Sequence, residues 1–314
     1  MSKLAVIFTG QGSQYADMGL DLLDLNDVSE KVQLIHQILN YNLKKILKNE
    51  GKELENTQYV QPAIVFLETT LYDLIKPYIK EISGYLGFSL GEISALYASQ
   101  ILTLYDTYQL TYFRSKAMQK CCENHDGAMA AVIHSDEQMV IQTCHDITDS
   151  NGLVQAVNFN TDKQTVISGE RSYLEKASAL LKAKGAKRVM PLAVQGAFHT
   201  PYMADAKSFL QTYVNTLTCH DVEHPLYLNT TGLPHQRSNI KHEIAKQVMS
   251  PVLFSQSINQ MIKDGFTHFL EIGPKPVLSK LIQHIDSNIF TEHLTQANDL
   301  ERVKGWLEIY ELKK

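Results

Sequence analysis

Leu4 to Phe8 is an uninterrupted apolar run closed by Thr9-Gly10-Gln11-Gly12, which reads as a buried strand delivering a glycine-rich loop at its C-terminal end. Apolar residues then recur at helical spacing over Val32 to Leu47 and Pro62 to Ile75, and Ile82 to Leu86 reads as a second buried strand ending at Gly87. Strands alternating with helices predict an α/β fold, here a large α/β-hydrolase-like domain with a mainly parallel sheet.

From about residue 126 the texture changes. Short apolar strands at Ala128 to Ile133, Val154 to Asn158, Thr165 to Ser168 and Val189 to Leu192 surround helical stretches near 136–146 and 171–184. That order, β-α-β-β-α-β, is the split ferredoxin-like unit. It predicts an inserted subdomain over 126–195, with 1–125 and 196–314 forming the large domain. His268 to Ile272 reads as a further buried strand, ending at Gly273-Pro274 before a final helical region. Internal repeats, low-complexity tracts and long linkers are not visible.

Composition narrows the function. With 314 residues, 44% apolar and 20% charged, the chain can bury a sizeable core. A net charge of −5 provides no global basic field, which disfavours nucleic acid or an anionic membrane surface as the main partner. The four cysteines, at 121, 122, 144 and 219, follow no metal-ligand or disulfide spacing and read as reduced thiols, so no bound metal is expected. The apolar run near the N-terminus is too short for a signal peptide core, and no stretch reaches membrane-spanning length. A cytoplasmic location is the default expectation.

The candidate chemistry starts at Gly87-Phe88-Ser89-Leu90-Gly91, a GxSxG pattern placed after a strand and before a helical segment. A sharp turn there leaves room only for glycine at the flanks and projects the Ser89 hydroxyl toward backbone N–H groups. The plainer alternative is a tight turn with a capping serine. A serine nucleophile needs a base, and of 12 histidines His199 stands out. It lies in Gln195-Gly196-Ala197-Phe198-His199-Thr200-Pro201, where the chain re-enters the large domain. A loop-capping histidine is its bland reading; the other eleven read as surface or helix residues. Donors for an oxyanion are available from the Leu90 N–H and from the loop Gly10 to Gln14, which lacks the spacing of nucleotide-binding loops.

Arg114 lies in the helical stretch Asp106 to Cys122, four residues after Leu110 and three before Ala117, and so points nearly with the apolar stripe. Either it sits at the stripe edge with its head in water, or it pairs with a buried anion such as a substrate carboxylate.

Taken together these residues resemble the malonyl-CoA:acyl carrier protein transacylases and the related free-standing acyltransferases of polyketide synthases. The matching segments span essentially the whole chain: Phe8 to Gln14, Val60 to Ala63, Gly87 to Glu92, Arg114, Asn158 to Asn160, Val166 to Gly169, Ala197 to Pro201, Ser250 to Val252 and Glu271 to Pro274. The resemblance implies a ping-pong transfer of malonyl from coenzyme A, through a Ser89 ester, to the phosphopantetheine thiol of an acyl carrier protein in fatty acid or polyketide biosynthesis. No bound cofactor is implied, coenzyme A being carried by the substrate, and monomer is the family default. By carry-over His199 is the general base, Gln11 and the Leu90 N–H form the oxyanion hole, and Arg114 binds the malonyl carboxylate. Gln61 and Asn160 are further substrate-binding positions, Phe198 crowds out an α-methyl group, and a backbone carbonyl around Gln247 orients the histidine. One departure is plain: the family usually has histidine before the nucleophile, where this chain has Phe88, a change expected to narrow the acyl pocket or alter how Arg114 is held.

Two other functions compete. A proofreading acyl hydrolase of the same fold would handle chains without a carboxylate, leaving Arg114 unpaired. A silent carrier-protein docking module would need none of the site. An acidic carrier protein calls for a basic patch, which Lys116 with Lys120, or Lys182, Lys184, Lys187 and Arg188, could supply; a solvated face is the alternative.

Overall fold

The apolar run at the start of the chain forms β1 (Lys3–Phe8), the central strand of a parallel sheet, in a computed structural model that describes residues 2–312. It is followed by α1 (Ser29–Leu39), α2 (Leu43–Lys48), α3 (Thr57–Ile75), β2 (Gly84–Gly87), α4 (Gly91–Ala98) and α5 (Leu104–Asn124). The single helical run read from Val32 to Leu47 is in fact two helices. Asn40 adopts a left-handed conformation that closes α1, and the Asn42 side chain accepts the Lys45 N–H to open α2. Asparagine tolerates both roles, so the apolar period continues across a break in the backbone.

Next come β3 (Gly127–Ile133), α6 (Glu137–Ile147), β4 (Val154–Thr161), β5 (Gln164–Glu170), α7 (Arg171–Ala183) and β6 (Arg188–Pro191). They form an antiparallel sheet in the order β4-β5-β3-β6, the arrangement of a ferredoxin-like βαββαβ unit. Its two faces follow the alternation of β3. Ala128, Ala130 and Val132 pack under α6 and α7, whereas Met129 and Ala131 join the core of the main body.

The remainder contributes α8 (Ala204–Val214), β7 (Leu226–Tyr227), α9 (Ile240–Lys246), α10 (Phe254–Lys263), β8 (Phe266–Ile272), α11 (Leu278–Ile285), β9 (Phe290–Leu294) and α12 (Leu300–Leu312). The parallel sheet runs β7-β2-β1-β8-β9. The two outer strands carry no apolar run that would mark them in the sequence: β7 has two residues, and β9 carries the polar and charged Thr291, Glu292 and His293 of a sheet edge.

Strand β1 is buried on both faces. Leu4, Val6 and Phe8 meet the helices of one layer, while Ala5 and Ile7 meet Leu86, Phe269 and the helices α10 and α11 on the other. Phe8 pairs with Gly87 on β2 and with Ile272 on β8, so three strands end level with one another. The loops that follow therefore open on one edge, the carboxyl edge where parallel sheets place their ligands.

Backbone packing at that edge leaves no space for side chains. A Cβ on Gly91 would lie 2.3 Å from the carbonyl oxygens of both Phe8 and Thr9, and one on Gly87 would lie 2.0 Å from the Gly91 carbonyl carbon. Gly91→Ala is expected to lower stability by about 1–3 kcal/mol or more by separating α4 from β1. Thermal unfolding beside wild type checks this, and an unchanged midpoint would contradict the close approach of Gly91 to β1.

Candidate active site

Ser89 occupies the turn between β2 and α4 with φ of +52°, in the left-handed region that a serine seldom adopts. Asn229 braces it. The Ser89 N–H donates to Asn229 Oδ1 at 2.6 Å, and Asn229 Nδ2 donates to the Gly87 carbonyl at 2.6 Å. The Leu90 N–H enters no backbone hydrogen bond among the described residues, and neither does the N–H of Gln11 on the facing loop. That loop is tied down by Ser13 Oγ donating to the Gly10 carbonyl and by Thr9 Oγ1 donating to the buried Glu68.

His199 lies opposite, also at positive φ (+63°). Its Nε2 is 2.8 Å from Ser89 Oγ, and its Nδ1 is 3.1 Å from the Gln247 carbonyl and 3.0 Å from the Ser250 carbonyl. Carbonyls only accept, so they hold the ring proton on Nδ1 and leave Nε2 bare toward the serine. Burial, reinforced by the positive charge of Arg114, carries the His199 pKa down to about 4 against the opposing pull of the two carbonyls. The imidazole is neutral at physiological pH.

Arg114 is 2% exposed, which decides against the stripe-edge reading. Its Nη1 donates to Gln61 Oε1 at 2.8 Å and its Nη2 to Gln247 Oε1 at 3.0 Å. Its Nε has no partner. Burial lowers its pKa to about 10, with Glu92 acting in the other direction. Glu92, 1% exposed, is pushed by burial up to about 7, opposed by the Asn229 N–H, the Gln247 amide and Arg114. A guanidinium whose direct partners are two neutral amide oxygens retains capacity for an anion.

These groups open on a cavity of about 220 Å³ lined by Gln11, Gln61, Phe88, Ser89, Leu90, Arg114, Asn160, Phe198 and His199, together with Met129, Ala131 and Val166 from the antiparallel sheet. Nine of the ten candidate residues thus share one cavity wall; Gln247 stands behind it. Gln11 Oε1 accepts from Gln61 Nε2 at 3.3 Å. The side-chain oxygens of Asn158 and Asn160 are buried at this cavity without a partner. Phe88 lines the cavity, but its ring lies under Gly10 and meets Phe254 edge-on at 5.4 Å, on the face of the sheet away from the helices α3 and α5. It takes no part in holding Arg114, whose partners are Gln61 and Gln247.

Sequence spacing alone assigns no role to Asn229, Ser250 or Glu92. Asn229 follows a strand too short to carry a pattern, and Glu92 reads as an ordinary acid in the first turn of a helix. Among the other histidines, His268 is neither surface nor helical: it is buried on β8 and stacked on Phe290. Lys116, Lys120, Lys182, Lys184, Lys187 and Arg188 are all exposed. Among the described residues no group of three or more His, Cys, Asp or Glu could hold a metal ion, and no helix is long and apolar enough to cross a membrane.

The acyl transferase domain family matches residues 6–299. A malonyl CoA-acyl carrier protein transacylase of Staphylococcus aureus (strain MW2) is 33% identical over 311 residues, 98% of this chain and 99% of the relative. Among solved structures, MCAT from Streptococcus pneumoniae superposes with a TM-score of 0.90 at 34% identity, covering 96% of this chain and 99% of the other. A type II PKS acyl-carrier protein (holo) in complex with its malonyl-transacylase gives a TM-score of 0.91 at 28% identity, covering 97% and 99%. Matched along nearly its whole length in both sequence and fold, the chain belongs to the acyl transferase domain family, among the malonyl CoA-acyl carrier protein transacylases.

Proposed function

We propose that the chain transfers a malonyl group from coenzyme A, through an ester on Ser89, to the phosphopantetheine thiol of an acyl carrier protein. The observation that carries the reading is the buried Arg114, 2% exposed and held by two neutral amides at one end of the cavity that Ser89 and His199 share. An apolar acyl chain would leave that guanidinium with only neutral direct partners; a malonyl carboxylate pairs with it directly.

In this reaction Ser89 Oγ attacks the thioester carbonyl while His199 Nε2 takes its proton. The resulting oxyanion faces the Leu90 and Gln11 N–H groups, which the turn and the loop leave without backbone partners. Collapse breaks the C–S bond, and the His199 imidazolium returns the proton to the departing thiolate. The carrier-protein thiol repeats the sequence in reverse, losing its proton to His199 and releasing Ser89. Gln247 and Ser250 keep His199 in the tautomer both halves need. Gln61 positions Arg114, while Asn160 faces the substrate with an open acceptor. Phe198 narrows the acyl end, and Phe88 contributes an apolar wall. The same proposal divides the chain into 1–125 with 196–314 and an inserted 126–195, places it in the cytoplasm and takes it to act as a monomer.

Intact-mass spectrometry after mixing with malonyl-CoA should show a malonyl adduct that Ser89→Ala lacks; an adduct persisting in that variant would overturn the assignment. Arg114→Ala is expected to lose about 2–5 kcal/mol of transition-state stabilisation with malonyl-CoA and little with acetyl-CoA. Equal losses on the two substrates would argue against a carboxylate clamp.

Because the His199 pKa is held near 4, the base itself should impose no acid limb on the acylation rate until pH approaches that value. An acid limb near the ordinary histidine value of about 6.5 that persists in Glu92→Gln, where the buried carboxyl titrating near neutrality is removed, would contradict the buried, neutral imidazole. The depressed pKa also means that the unfolded chain binds the proton first. His199 thus contributes stability present above about pH 6.5 and lost as pH falls toward 4, so rates are best taken on briefly acidified folded protein.

A further inference from the structure

We propose that Glu92, acting through Asn229 on one carboxylate oxygen and Gln247 on the other, is the positioning residue that keeps the Ser89 turn, His199 and Arg114 in one register; this rests on the acyl-transfer reading above. Glu92 does not line the cavity, and neither does Asn229 or Gln247. Whatever they do to the reaction, they do through other groups.

The geometry is specific. Glu92 Oε2 accepts the Asn229 main-chain N–H at 2.7 Å, and Oε1 accepts Gln247 Nε2 at 3.0 Å. On the first branch, Asn229 stands between a group that only donates, the Ser89 N–H, and one that only accepts, the Gly87 carbonyl. Its amide can bridge them in one orientation alone. Placing its backbone by the bond to Glu92 places that bridge, and with it the left-handed Ser89.

On the second branch, Gln247 stands between a carboxylate and a guanidinium. An amide side chain turned by 180° keeps nearly the same shape, so its neighbours decide which end is oxygen. With Nε2 committed to Glu92 and to the Ser89 carbonyl at 2.8 Å, Oε1 must face Arg114 Nη2. The main-chain carbonyl of the same residue accepts from His199 Nδ1. One carboxyl group, 1% exposed and met by a donor at each oxygen, therefore sets the orientation of the amide that holds the arginine and anchors the residue that orients the histidine. Glutamine at 92 would bring an NH₂ group against a donor, the Asn229 N–H or the Gln247 amide, and would free Gln247 to turn its nitrogen toward Arg114.

The test is rapid-quench measurement of acyl-enzyme formation from malonyl-CoA, with wild type, Glu92→Gln and Asn229→Ala compared after thermal unfolding confirms each is folded. Asn229→Ala removes only the turn brace. It should cut the maximal rate by roughly 10- to 100-fold while leaving half-saturation unchanged. Glu92→Gln should cut the rate comparably and also raise half-saturation for malonyl-CoA, because both branches fail. A folded Glu92→Gln with rate and half-saturation within about twofold of wild type overturns the proposal, as does a loss of affinity in Asn229→Ala equal to that in Glu92→Gln. If Glu92→Gln does not fold, Asn229→Ala decides alone: a slower rate at unchanged half-saturation supports the proposal and a wild-type rate overturns it. A wild-type protein that forms no malonyl adduct would instead sink the acyl-transfer reading, an outcome separate from these.

Discussion

The site depends on one backbone contact, the approach of the first turn of α4 to the end of β1. Gly91 lies so close to the Phe8 and Thr9 carbonyls that neither segment can move alone. The Phe88 N–H donates to the Phe8 carbonyl at 2.8 Å, which continues the pairing of β1 with β2 into the turn itself. The loop bearing Gln11 and the turn bearing Ser89 leave these two strand ends as neighbours. The unpartnered N–H groups of Leu90 and Gln11 and the position of Ser89 are thereby set by main-chain packing, which is stiffer than side-chain placement.

Behind that contact the electrostatics are arranged by burial. His199, Arg114 and Glu92 are all nearly inaccessible to water, and each is shifted toward its neutral form by the loss of hydration. Their responses differ because their partners differ. Two carbonyls orient His199 without adding a negative charge, so the ring stays neutral and Nε2 stays available. Arg114 and Glu92 offset one another across the Gln247 amide rather than in direct contact, and the guanidinium keeps an unpartnered Nε. A direct ion pair would satisfy the arginine and leave less for a substrate anion.

Much of this was legible along the chain. The elbow glycines, the loop at Gly10 to Gln14 and the βαββαβ order follow from local steric rules and periodicity, which act over a few residues. What the sequence does not display has equally physical causes. The break at Asn40 to Asn42 is hidden because asparagine caps both ends without interrupting the apolar period. Strand β7 is too short to show a pattern, and Asn229 just beyond it acts across 140 residues of sequence. Phe88 is not among the groups that hold Arg114, and although it lines the cavity its ring also meets Phe254, a contact no sequence spacing announces.

The sequence by itself determined which residues could do chemistry and where the chain must turn, because a glycine, a strand or a helical stripe is a short-range property. Only the tertiary structure decided that His199 meets Ser89 at 2.8 Å, that Arg114 is buried rather than edge-bound, and that the Asn229 N–H reaches Glu92 behind the Ser89 turn. Those are long-range contacts among buried polar groups, and their geometry is set by the whole packed core, since each must find its hydrogen-bond partner somewhere within it.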